Sequence, residues 1–134
     1  MFLTIRRYSP KNGAINRASL ELLRRQVQEQ FLPVIQQVPG FRAFHVVSIA
    51  NAELLTITIC DSREGIAEST RCAAEYTMRN PLMYELGRPE ITEGEVLTSL
   101  LAAGGPAEGG DAAATALALW YAESRGMLLT ASQR

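Results

Sequence analysis

The sequence contains a single histidine, His45, and histidine is the side chain whose ordinary pKa suits proton transfer near neutral pH. It stands in the run Phe41-Arg-Ala-Phe-His-Val-Val-Ser-Ile49, in register with Ala43 and Val47, so on a β-strand these three share a face. If that face lined a pocket, His45 could serve as general base toward a phenolic or enolic substrate. The plainer expectation is a histidine hydrogen-bonded at an interface or strand edge. Tyr76, Thr77 and Asn80 close a helical segment, where their oxygens and amide either meet a ligand or finish the helix. Tyr76 is the second candidate catalytic group, with Arg42, Thr77 and Asn80 as candidate ligand-binding residues. Arg42 and Arg6 lie on strands, where a guanidinium either neutralises an acidic ligand or remains a solvated edge charge, and the second is expected. Glu93 and Glu95 point the same way on a last strand, a spacing that suits solvent-facing carboxylates or cross-strand pairing with arginine better than an acid/base couple.

Other chemistries lack their motifs. No nucleophile elbow, phosphate loop or dinucleotide fingerprint is present. Cys60 and Cys72 have neither metal-ligand nor redox-pair spacing and read as reduced packing residues of a cytosolic protein. Two cysteines and one histidine are too few nearby ligands for zinc, so no metal is expected. A net charge of -1 argues against nucleic acid or an acidic membrane surface as the main partner. No window approaches the roughly 18 apolar residues of a membrane-spanning helix, and no secretory signal is apparent. The first twenty residues are basic, as in a transit peptide, but Phe2 to Tyr8 already alternates like a strand.

These candidates depend on the elements that carry them. Leu3 and Ile5 alternate with Thr4 and Arg6 in a half-buried first strand, ended by Ser9-Pro-Lys-Asn-Gly13. From an N-cap at Asn16 or Ser19, a helix runs on Leu20, Leu23, Val27, Phe31, Val34 and Val38, one stripe at steps of three and four. Pro33 predicts a kink or a separate final turn, and Pro39-Gly40 stops the helix. Phe41–Ile49 and Leu54–Cys60, joined by a short loop, form a hairpin. Asp61-Ser62 caps a second helix over about 63–79, with an inner stripe of small residues, Ile66, Thr70, Ala73, Ala74 and Thr77, that lets the backbone approach the sheet. Asn80-Pro81 interrupts it, Leu82 to Leu86 adds a turn, and Ile91 to Leu100 is a last strand with a bulge at Gly94.

Strand, helix, strand, strand, helix, strand is the ferredoxin-like α+β order, a four-stranded antiparallel sheet with both helices on one face. In the hairpin, Phe41, Ala43, Val47 and Ile49 alternate with Phe44 and Val46, while Leu55, Ile57 and Ile59 oppose Leu54 and Cys60. A sheet open to water on one side shows a polar face; this one is apolar on both, which predicts a homodimer burying the second. Residues 1–101 make this domain, 102–110 read as a Gly/Ala-rich linker, and 111–134 as a tail with a short helix.

The chain resembles the antibiotic-biosynthesis-monooxygenase-like (ABM) domains of the dimeric α+β barrel superfamily. The resemblance rests on Val38-Pro-Gly-Phe41, Cys60-Asp-Ser-Arg63, Glu68-Ser-Thr-Arg-Cys-Ala-Ala-Glu-Tyr76 and Glu90-Ile-Thr-Glu-Gly-Glu-Val-Leu97. It covers roughly residues 1 to 100 and implies a homodimer whose sheets form a barrel, with a small-molecule pocket between each sheet and its helices. Haem-degrading relatives place an asparagine where this chain has Thr4-Ile5-Arg6, and a tryptophan and a histidine near the second helix that have no counterpart here. No residue is carried over from them and no cofactor is expected. Two functions follow as expectations: a cofactor-independent monooxygenase acting on an aromatic small molecule through His45 and Tyr76, or a non-catalytic dimeric ligand-binding or assembly module.

Overall fold

The computed structural model describes residues 1–11, 15–50 and 52–100. The expected Asn-Gly turn, the linker at 102–110 and the tail at 111–134 lie outside them. Strand β1 spans Phe2–Tyr8, helix α1 Arg17–Gln26, helix α2 Leu32–Ile35, strands β2 and β3 Phe41–Ile49 and Glu53–Cys60, helices α3 and α4 Arg63–Arg79 and Pro81–Leu86, and strand β4 Glu90–Glu95. The strands form one antiparallel sheet in the order β2-β3-β1-β4, the ferredoxin-like layout.

Helices α1, α3 and α4 each start where a side chain can satisfy orphan amides. Asn16 Oδ1 accepts from the backbone N–H of Ala18 at 2.7 Å, and Ser62 Oγ accepts from that of Gly65 at 3.1 Å. The break announced by Pro33 begins earlier than the proline. Val27–Phe31 forms a π-helical turn, in which the Leu32 N–H reaches back to the Val27 carbonyl. A π turn takes up one residue more than an α turn, so the buried stripe slips by one position after Phe31. Ile35 is fully buried and Val34 is 42% exposed, which corrects the expected stripe.

Pairing divides the strands into two faces. Facing the helices are Phe2, Tyr8, Leu54, Cys60 and Phe44, packed with Leu20, Leu23, Phe31, Ile35, Ile66 and Tyr76 in the main core. On the other face Ile5, Ile49, Leu55, Ile57 and Ile59 make a second apolar layer, with Leu3, Ala43 and Val47 against it. A bulge between Phe41 and Ala43 lets Phe41 join the helix-side core, so it does not share the face of Ala43 as strict alternation predicts. No register shift interrupts the pairing of β1 with β4 at Gly94, so the bulge expected there is absent. The strand stops at Glu95, short of Leu97 and Leu100, which are exposed.

Candidate functional site

The inner face of α3 changes character along its length. At its start Gly65 packs so tightly that a Cβ there would lie 2.8 Å from the Pro39 carbonyl oxygen. Further on, Thr70, Ala73, Ala74 and Thr77 are too small to fill the space beside the sheet. The space they leave is a cavity of about 710 Å³, floored by Arg6 and Tyr8 of β1 and rimmed by Lys11, Tyr84 and Arg88. The small stripe thus does two things: its glycine brings the backbone close, and its threonines and alanines hold a space open.

Arg6 is the residue whose surroundings differ most from the solvated charge expected of it. Only 1% of it is exposed. Its guanidinium donates to Thr58 Oγ1, Ser69 Oγ and Thr70 Oγ1, each at 3.1 Å. No carboxylate among the described residues pairs with it. Burial lowers the guanidinium pKa, and the neighbouring Tyr8 and Glu93 counter this only in part. Three polar atoms on this part of the sheet, Thr4 Oγ1, Arg6 Nε and Thr56 Oγ1, are buried without a hydrogen-bond partner among the described residues. They sit together because Arg6 pairs across the sheet with Thr56 and Thr4 with Thr58. Burial also pushes the Tyr8 phenol up, while the Arg6 charge and the Thr77 hydroxyl draw it back down.

Of the candidate residues weighed from sequence, Thr77 and Arg6 line this cavity. Tyr76 and Asn80 are brought together, but in a network that joins helices. The Tyr76 hydroxyl donates to Gln30 Oε1 at 3.0 Å, and Asn80 Nδ2 donates to Gln26 Oε1 at 2.7 Å and to the Tyr76 oxygen at 3.0 Å. Asn80 Oδ1 accepts from the Met83 N–H at 3.0 Å, capping α4. Asn80→Ala is therefore expected to cost about 1–2 kcal/mol of stability through the lost cap and the unpaired groups left behind. Urea unfolding measures this, and an unchanged midpoint would mean that the network is dispensable. Burial is the main cause that raises the Tyr76 phenol, with the Asn80 hydrogen bond opposing it.

Arg42 is exposed at the start of β2 and ion-paired with Asp61. His45 pairs across the sheet with Ile57, a member of the second apolar layer, so it stands on the face turned away from the helices. The structure does not bring His45 and Tyr76 to one site. Glu93 and Glu95 are exposed on the edge strand. Sequence reasoning missed Tyr8, Lys11, Tyr84 and Arg88; it weighed Arg6 as the partner of an acidic ligand but expected a solvated edge charge. The signal for Arg6 was its register: it is paired with Thr56 in a row of polar residues, Thr4, Arg6, Thr56 and Thr58, that all face one way.

No family model matches this chain, and neither does any curated protein. Solved structures do. A monooxygenase from the gene ActVA-Orf6 of Streptomyces coelicolor, in complex with nanaomycin D, superposes with a TM-score of 0.58 at 14% identity, covering 76% of this chain and 92% of that one. A dimeric ferredoxin-like protein from an uncultured marine organism gives 0.55 at 14% identity, covering 76% and 92%. A protein of unknown function from Nitrosomonas europaea, NE2512, gives 0.53 at 18% identity, covering 77% and 95%. At these identities the likeness is one of fold, and the chain has the ABM-like, dimeric ferredoxin-like fold.

Proposed function

We propose that the protein is a homodimer in which each chain binds a small aromatic, largely apolar molecule between β1 and helices α3 and α4. The observation that carries this reading is the cavity of about 710 Å³ with small residues along its helical wall and polar groups on its floor. Its size and mixed lining suit a ligand of one or two fused rings bearing oxygens. Titration calorimetry of the full chain with methyl 2-naphthoate tests it: saturable binding at one molecule per chain is expected. Ala74→Trp, which projects an indole into the cavity, should weaken that binding about tenfold or more without unfolding the protein. Binding that survives Ala74→Trp, or its absence in the native chain, refutes the reading.

The second apolar layer, expected from sequence to need a partner copy, is already buried within the single chain; the homodimer rests on neighbours described as dimeric. A sedimentation equilibrium run that found a stable monomer at micromolar concentration would overturn it. Two buried, reduced cysteines suit a cytosolic location.

A second reading, cofactor-independent oxygenation, is favoured by the fold shared with the monooxygenase solved with nanaomycin D. It predicts oxygen uptake with a reduced polycyclic phenol and no added cofactor. The described lining includes neither histidine nor carboxylate, and this places binding ahead of turnover. His45, on the other sheet face, is given no part in the cavity.

A further inference from the structure

Resting on that reading of the cavity, we propose that its ligand is an aromatic monoanion, a carboxylate or an ionised phenol, whose charged oxygen is received by Arg6 together with the Thr70 hydroxyl. A buried guanidinium among neutral hydroxyls has lost its water and gained no opposite charge, an arrangement that an anion brought into the same space would compensate. Arg6 has three hydroxyl partners and no ion pair. The other cations at the cavity, Lys11 and Arg88, have no ion-pair partner among the described residues either, and no acidic side chain lines the space with them. Glu93, the carboxylate whose field reaches Arg6, stays exposed on the edge strand. Among the described residues, the walls therefore present positive charge alone.

An oxygen that accepts from a guanidinium still has its own proton to give. Ser69 spends that proton inside α3, donating to the Ile66 carbonyl at 2.7 Å. Thr70 makes no such bond, and it lines the cavity, so its O–H is available to an acceptor held there. A carboxylate or phenolate oxygen beside Thr70 would take this hydrogen bond and the field of Arg6 together. Such charge-assisted contacts are the strong ones in a low-dielectric site. The unpartnered Arg6 Nε and Thr56 Oγ1 lie on the same stretch of sheet.

The test compares 2-naphthoate with its neutral methyl ester, and a second anion, 2-hydroxy-1,4-naphthoquinone, separates carboxylate from ionised-phenol recognition. Calorimetry on the full native chain should show at least one of the two anions binding about tenfold or more tighter than the ester, as a charge-assisted hydrogen bond warrants. Arg6→Met should bind ester and anion alike, and Thr70→Val, which keeps the volume, should lose part of the preference while retaining ester affinity. If the native chain binds the ester as tightly as both anions, the charge proposal fails and the cavity reading stands. If nothing binds, both fail. Should Arg6→Met not fold, the native comparison and Thr70→Val decide the matter by themselves.

Discussion

Phe31→Ala is expected to lower the free energy of unfolding by about 3–5 kcal/mol, the range for emptying a buried aromatic site. The ring closes the π turn, is buried, and lies 5.2 Å from the rings of both Phe44 and Tyr76, tilted to each. It is thus where the first helical segment, the hairpin and α3 meet. Aromatic pairs in such tilted geometry add to the area they bury. The loss should also reach Tyr76, whose hydroxyl bonds to Gln30 one residue before Phe31. Chemical denaturation monitored by far-ultraviolet circular dichroism gives the number, and a loss below about 1 kcal/mol would mean that the core can close around the missing ring.

Gly65→Val should destabilise by about 3 kcal/mol, at the upper end for overpacking. The added Cβ would lie 2.8 Å from the Pro39 carbonyl oxygen and 3.1 Å from Cys60 Cβ. Neither neighbour can easily retreat. Pro39 is followed by Gly40, whose carbonyl accepts from the Asp61 N–H at 2.8 Å, and Cys60 is held in the ladder opposite Phe2 and Phe41. Valine puts an isopropyl group into a site with no room for a single methyl. Gly94→Val is the control: a Cβ there meets nothing within 4 Å, and the change should stay within about 0.5 kcal/mol. Equal midpoints for the two variants in thermal melts would dismiss the close approach of α3 to the hairpin.

The order of elements was legible because each carries its own signal. Asn16 and Ser62 are caps in the structure as in the sequence, and α3 covers the expected residues. What misled was alternation. On β1 the apolar residues Leu3 and Ile5 were read as the inner face, leaving Thr4 and Arg6 for water. A strand between two buried layers has no outer face: Thr4 and Arg6 are inside, under α3, and Ile5 belongs to the opposite layer. The sequence carried the clue in Thr56 and Thr58, polar residues within a strand otherwise apolar, but only the register shows that they meet Arg6 and Thr4. His45 lies on the expected strand and shares a face with Ala43 and Val47; which side of the sheet that face takes stays open in the sequence, because periodicity is the same for either choice. The slip from Val34 to Ile35 came from the π turn, a local widening that a constant helical period cannot express.

The place of β1 in the sheet also bears on how the protein is made. Residues 2–8 leave the ribosome before either of their partners, β3 on one side and β4 on the other. The β2–β3 hairpin pairs locally and can form while synthesis continues. The first strand, with Arg6 on it, can dock against β3 only after Cys60 has emerged, and its second edge stays open until Glu95 follows. Closing such distant pairings is slow in proportion to the chain that must be ordered between them, and an unpaired apolar strand is what chaperones recognise. The nascent chain therefore carries Arg6 unburied until β3 has emerged, and the floor of the cavity takes shape only once β4 has closed the other edge of β1.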